Sequence, residues 1–297
     1  MSADVVLIAG PTASGKSQLA LELALGISGT IINADSMQVY SDLSILTARP
    51  SPADEAQAPH RLYGHVRAQE RYSVGRYQEE AAIALNEARA AGRTAIFVGG
   101  TGLYFDALTK GLSPIPPVPA EIREATRQRF ETIGREAFFA ELGERDPKTA
   151  SKLRISDTQR VLRAIDVVES TGRPLSHWQG ISGKAVLEGL QIRRFVVAPP
   201  RDVLAARIER RFEAMIAGGA LEEARSLLGL DLVLPAAKAL GLRPLWRHLG
   251  GEMPLSVAIA EAQLATKQYA KRQMTWFRNR MADWAVVEDS KSSNFIT

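Results

Sequence analysis

Gly10-Pro11-Thr12-Ala13-Ser14-Gly15-Lys16-Ser17 fits G-x-x-x-x-G-K-[ST], directly after the apolar run Val5 to Ala9 and at the head of the Ala- and Leu-rich stretch Ser17 to Leu25. A strand feeding a glycine turn that opens a helix is the context this pattern requires. The glycines let the backbone turn tightly, so that successive N–H groups and the helix N-terminus converge on phosphate oxygens. Lys16 would add a point charge, and Ser17 a ligand for a phosphate-bound Mg²⁺. The loop leaves open whether the diphosphate belongs to ATP or to another substrate.

Outward from the loop, β-branched runs at Thr30 to Ala34, Thr94 to Val98 and Arg194 to Ala198 read as buried strands, and Trp284 to Val287 as a short edge strand. Helical stretches, such as Tyr77 to Ala91 with its stop at Gly92, alternate with them. The alternation predicts an α/β fold with a P-loop NTPase-like parallel sheet. Four prolines between Ser113 and Pro119 break the alternation, and from Glu121 to about Trp178 the patterns are all helical. A small all-helical insertion over 116–192 is therefore expected between two parts of a core, 1–115 and 193–297. Inside it, Ser156 and Gln159 have capping-box spacing, and Val161, Leu162, Ile165 and Val168 form an apolar stripe that leaves Gln159, Arg160 and Arg163 facing elsewhere.

A chain of 297 residues, 45% apolar, can bury a full core. With no cysteine, disulfides, thiol catalysis and cysteine-ligated metals are excluded together. The N-terminus lacks the basic segment of a signal peptide, and no apolar run approaches the roughly 18 residues needed to span a bilayer. A cytoplasmic protein without membrane partners is expected. The net charge of +4 says little, but its distribution says more. Lys267, Lys271, Arg272, Arg278 and Arg280 lie in one stretch without an acidic residue, interleaved with Tyr269, Trp276 and Phe277. Cations beside flat rings suit a phosphate backbone with splayed bases, and equally a solvated helix face over buried aromatics.

Asn33 to Tyr40 puts Asp35 at the carboxyl end of the second strand, where ligands of open α/β sheets bind. A carboxylate there can take a proton from an attacking N–H or O–H group, or cap a turn, or support Mg²⁺ indirectly. Gly99-Gly100-Thr101-Gly102 ends the third strand at the same edge. Its glycines permit close approach to the backbone, and Thr101 either aims its hydroxyl into the site or caps the next helix.

Together, GPTASGKS (10–17), INADSMQVY (32–40), VGGTGLYFDAL (98–108), QRVLRAIDVVESTGRPLS (159–176) and KQYAKRQMTWFRN (267–279) resemble, in order, the tRNA dimethylallyltransferase family. The resemblance runs over nearly the whole chain. It implies transfer of a dimethylallyl group from dimethylallyl diphosphate to N6 of the adenosine next to the anticodon, tRNA position 37, with Mg²⁺, by a monomer whose helical insertion grips the anticodon stem-loop. It also implies roles for particular residues. Asp35 is the base, Thr101 a hydroxyl beside the reacting centre, and Lys16 binds the diphosphate with Gly10, Pro11, Thr12, Ala13, Ser14, Gly15, Ser17, Arg207 and Arg211. Ser17 also meets the metal. tRNA contacts fall on Asp35, Ser36, Met37, Gln38, Thr101, Arg123, Gln159, Arg160, Val161, Leu162 and Arg163, and on Lys271, Arg272, Trp276 and Arg278 of the C-terminal helix. Met37 departs from the family's usual Arg, and Ser41 to Thr47 from its GLDIGT-like run. Two rivals stand beside this reading. A small-molecule kinase would turn over ATP without RNA, and an RNA-binding module would leave its P-loop inert.

Overall fold

Val5–Ala9 is β1, and every residue in it is buried, as a continuous apolar run in a parallel sheet requires. The computed structural model describes residues 3–288. Its sheet adds β2 (Gly29–Asn33), β3 (His60–Arg61), β4 (Thr94–Gly99), β5 (Ile192–Val197) and β6 (Ala285–Val287), in the order β3-β2-β4-β1-β5-β6. All neighbours are parallel. Successive side chains alternate between two apolar layers: Val5, Leu7 and Ala9 join Tyr77, Phe97 and Phe105 on one face, while Val6 and Ile8 join Leu19, Leu23 and Ile96 on the other. Ala285–Val287 is the edge strand that the sequence suggested. The opposite edge, β3, has only two residues and no β-branched run to announce it.

Helices cover both faces: α1 (Lys16–Ile27), α2 (Pro52–Gln57), α3 (Val74–Ala90) and α4 (Gly102–Thr109). The chain divides into two compact units, one of residues up to Thr109 and from Val186 onward, the other Lys110–Ala185. The division falls several residues earlier at each end than the proline-bounded segment suggested. Leu187 explains the second boundary, since its side chain is buried in the sheet-bearing unit and its N–H donates to the Leu108 carbonyl at 3.0 Å.

The smaller unit is α5 (Ala120–Arg145), α6 (Pro147–Ala150), α7 (Thr158–Thr171) and α8 (Leu175–Gln179), around Phe138, Leu142, Val161 and Ile165. α5 is interrupted at Gly134, whose φ of 81° no helix contains. The capping box expected from Ser156 and Gln159 does not form. Asp157 is the N-cap of α7, and its carboxylate turns back to accept from the Arg154 N–H at 3.2 Å, closing the preceding turn instead. The larger unit resumes after β5 with α9 (Arg201–Ala217), α10 (Ala220–Ser226), a 3₁₀ turn (Pro235–Lys238), α11 (Leu242–Leu249) and the 26-residue α12 (Leu255–Arg280).

Candidate active site

Because β4 lies between β2 and β1, the carboxyl ends of these three strands stand side by side, where open α/β sheets bind ligands. Gly99 makes the junction possible: a Cβ there would lie 2.0 Å from the Ala34 carbonyl, so β2 and β4 could not close with any other residue. The Gly99 carbonyl accepts from the Gly10 N–H at 3.2 Å and ties in the end of β1.

From Gly10 the loop winds into α1 through left-handed residues, Ala13 at φ 64° and Gly15 at φ 93°. Gly15 at the N-cap has no side chain to offer; the Lys16 N–H donates weakly to the Ser14 hydroxyl at 3.4 Å, and the next N–H groups of the first turn remain for an anion. Lys16 is only 8% exposed, and its ammonium donates to the Pro11 carbonyl at 3.3 Å. Burial lowers its pKa to about 8, the Asp35 charge opposing the shift and Arg211 adding to it. Two arginines of α9 close the cradle. Arg207 donates to the Ser14 carbonyl at 3.1 Å, and Arg211 donates to the Thr12 hydroxyl. Burial lowers the pKa of Arg211 too, against the pull of Asp35, yet a guanidinium keeps its charge. The resulting polar cavity, about 320 Å³, is lined by residues 12–18 together with Asp35, Gln38, Arg207 and Arg211. Ser17 is exposed on it. Among the described residues no three His, Cys, Asp or Glu side chains cluster as a metal cage would require. One hydroxyl and one carboxylate beside a phosphate cradle suit a Mg²⁺ that arrives on a diphosphate.

A second cavity, about 310 Å³, adjoins the first and shares Thr12, Asp35, Thr47 and Arg211 with it. Its character is different, with Met37, Leu46, Ile208, Phe212 and Met215 in the wall, and Tyr269 and Arg272 of α12 completing it. Arg272 stacks over the Tyr269 ring at 5.7 Å from its centroid, and burial, with the Asp35 charge, raises the Tyr269 pKa. Asp35 stands where the two cavities meet. Its own N–H donates to Asn33 Oδ1 at 2.8 Å and its Oδ1 accepts from the Met37 N–H at 2.9 Å, which fixes the carboxylate. Oδ2 makes no hydrogen bond with the described residues. Thr101 lines neither cavity; its hydroxyl accepts from the Ser36 N–H at 2.9 Å and donates to the Ser36 hydroxyl at 3.2 Å. Gln38 donates to the carbonyls of Thr47 and Ala48 at 3.0 and 2.9 Å, holding the loop beyond.

Two positioning groups escaped the sequence reading. Gln273 lies on the buried stripe of α12 with Ala262, Thr266, Ala270 and Phe277. An amide at an apolar position of a helix was the available signal. Glu223 of α10 is the other: its carboxylate accepts from the N–H groups of Ser44, Ile45 and Leu46 at 2.8, 2.7 and 2.8 Å. Nothing local in the sequence marks it, since its partners lie about 180 residues away. On the basic face of α12, Lys267 pairs with Glu209 at 2.5 Å, whereas Lys271, Arg272 and Arg278 are exposed. Trp276 is half-buried against Gly102, with Arg280 over its ring.

Within the helical unit, Val161 is in the core and Leu162 packs beside it, while Gln159, Arg160 and Arg163 are exposed on α7. Arg123, near the start of α5, is half-buried and donates to the Val118 carbonyl. Although Arg163 is exposed as a residue, neighbouring groups partly screen its guanidinium from water, and that desolvation lowers its pKa; Asp166 opposes the shift and Arg123 adds to it, so two cations share one region of this unit.

The family model for IPP transferase matches residues 38–280. A tRNA dimethylallyltransferase of Rhodopseudomonas palustris is 52% identical over 98% of this chain and 91% of its own length. One from Chelativorans sp. is 52% identical over 94% of this chain and 96% of its own. Among solved structures, the tRNA isopentenylpyrophosphate transferase of Bacillus halodurans superposes with a TM-score of 0.68 at 29% identity, covering 99% of this chain and 96% of that one. A eukaryotic dimethylallyltransferase acting on tRNA gives a TM-score of 0.81 at 26% identity, over 97% of this chain and 74% of that one. Among the described residues no helix is long and apolar enough to cross a membrane.

Proposed function

The chain belongs to the IPP transferase family, and from that membership we propose that it transfers a dimethylallyl group from dimethylallyl diphosphate to N6 of the adenosine next to the anticodon of tRNA, position 37, as a cytoplasmic monomer. The observation that carries this reading is the pair of adjoining cavities, one a phosphate cradle and one largely apolar, with Asp35 and Arg211 in their common wall.

In the reaction the allylic C1–O bond breaks, the diphosphate leaves with the electron pair, and the N6 lone pair forms the new bond to C1. An exocyclic amine is a weak nucleophile because its lone pair is delocalised into the purine, so the barrier falls chiefly by holding the leaving group. The N–H groups at the head of α1, Lys16 and Arg211 face the negative charge that grows on the diphosphate. One such preorganised donor typically contributes about 3 to 4 kcal/mol. Ser17 would hold the Mg²⁺, with Asp35 within the same cavity, and the ion supplies further neutralisation of the diphosphate oxygens. Asp35 Oδ2 receives the N6 proton as the bond forms. Thr101 acts through Ser36, whose N–H it holds beside Asp35. Tyr269 and Arg272 form a stacking surface for an unstacked adenine, offsetting the few kcal/mol of base extrusion. On the helical unit, Arg123, Gln159, Arg160 and Arg163 meet the anticodon stem-loop.

Mass spectrometry of nucleosides from unmodified tRNA, incubated with the protein, Mg²⁺ and dimethylallyl diphosphate but no ATP, tests the proposal. N6-isopentenyladenosine is expected. Its absence, with ATP turned over on a small acceptor in a separate incubation, would put a kinase in its place.

A further inference from the structure

We propose that Gln273 is a positioning residue whose buried side-chain amide sets the spacing between the diphosphate cradle and the turn that carries the general base. The inference rests on the transferase reading above and assigns a role in it that neither the phosphate loop nor the acceptor turn supplies.

Gln273 is 5% exposed, and both ends of its amide are engaged. Oε1 accepts from the N–H of Thr12, across 261 positions of sequence, at 3.0 Å. Nε2 donates to the carbonyl of Gly100, 173 positions away, at 2.8 Å. Thr12 belongs to the phosphate loop and is held from its other side by Arg211. Gly100 precedes Thr101, whose hydroxyl holds the Ser36 N–H next to Asp35. One planar amide therefore spans from the group that binds the leaving diphosphate to the group that fixes the acceptor side. Its reach is set by covalent geometry, so the two halves of the site cannot slide past one another without breaking a bond to it.

Gly100 and Gln273 are matched in size. A Cβ at Gly100 would lie 2.2 Å from Gln273 Nε2, so the glycine is required by this contact and not by its backbone angles. The same helix brings Tyr269 and Arg272 to the wall of the apolar cavity, and Ala270 packs with Ala13 of the loop. Gln273 thus registers the nucleobase platform as well as the carboxylate against the diphosphate. The amide also satisfies two backbone groups, and an apolar residue in its place would leave the Thr12 N–H and the Gly100 carbonyl without this partner, at about 1 to 3 kcal/mol each. Stability alone does not require that one side chain join these two segments. What the amide provides is register, and reacting atoms displaced by about 1 Å can lose 10²-fold in rate.

The test compares wild type, Gln273→Leu and the isosteric Gln273→Glu, which keeps an acceptor for Thr12 but has no donor for Gly100. For each, kcat at saturating tRNA and dimethylallyl diphosphate, the Kd of each substrate alone and the melting temperature are measured. Both variants are expected to lose about 100-fold in kcat. The Kd for tRNA is expected to stay within a few-fold of wild type, with a folded protein at the assay temperature. If Gln273→Leu does not fold, Gln273→Glu carries the test. Gly100→Ala and Gln273→Ala are each expected to lose kcat as well, and in the Gly100→Ala, Gln273→Ala double variant the losses are expected not to multiply, because both substitutions disrupt one contact. Unchanged kcat in a folded variant overturns the assignment, as does a rise in donor Kd with kcat intact. Wild-type protein that transfers nothing refutes the transferase reading itself, a result separable from either.

Discussion

Deprotonating Lys16 is expected to weaken donor binding and strengthen the unliganded fold over the same span of pH. Burial lowers this ammonium from the ordinary 10.5 to about 8, the Asp35 charge only partly offsetting the desolvation. Below pH 8 both folded and unfolded chains hold the proton, and the desolvation penalty is fully present. Between about 8 and 10.5 the folded chain releases the proton while the unfolded chain keeps it. Stability of the free protein therefore rises with pH across that window, by on the order of 3 kcal/mol at its upper end. A diphosphate requires the charged form, so its affinity runs the other way. With a pKa near 8, about nine-tenths of Lys16 is protonated at pH 7 and about one-tenth at pH 9, so the Kd should rise roughly tenfold between them, about 1.4 kcal/mol over the two pH units together. Isothermal titration of dimethylallyl diphosphate with Mg²⁺ from pH 7 to 9.5, paired with thermal melts of the free protein, reads both signs. Lys16→Met should bind weakly at every pH and show neither slope. A flat wild-type Kd, or the same slope in Lys16→Met, would refute the reasoning by placing the titration on another group.

Asp35→Asn keeps the shape of the acceptor turn and is expected to bind tRNA as wild type does while losing 10² to 10⁴ in kcat, roughly the worth of a general base; parallel loss of tRNA affinity would make Asp35 a binding residue. Glu223→Ala leaves the N–H groups of Ser44, Ile45 and Leu46 without their carboxylate. Denaturant titration should show a loss of at least about 2 kcal/mol. The donor KM should also rise, because Leu46 and Thr47 line the apolar cavity; unchanged stability would mean that the loop holds itself. Lys271→Ala and Arg272→Ala should each reduce the slope of log affinity for tRNA against log salt by about one or less. Arg272→Ala should lose more affinity than Lys271→Ala, since Arg272 also stacks on Tyr269; an unchanged slope in both would remove α12 from the RNA interface.

The sequence by itself determined what is local. The phosphate loop, the alternation of strand and helix, the acidic residue at the end of β2 and the glycines at the end of β4 are all contiguous patterns, and each is dictated by backbone geometry within a few residues. Which strands neighbour one another is not of that kind: that β4 lies between β1 and β2 depends on packing of both faces at once, and only this order brings Asp35, Thr101 and Lys16 to one edge. The two-residue β3 pairs solely because β2 offers it an edge at Ile31 and Ile32. Ser156 and Gln159 had the spacing of a cap, yet Asp157 holds the N-cap position and its carboxylate bonds the Arg154 N–H over the same three-residue span. Gln273 and Glu223 show the limit most clearly. Each holds the site through hydrogen bonds to backbone groups, and a backbone N–H or carbonyl carries no residue identity for a sequence pattern to record. Such partners become visible only when tertiary structure brings them within 3 Å.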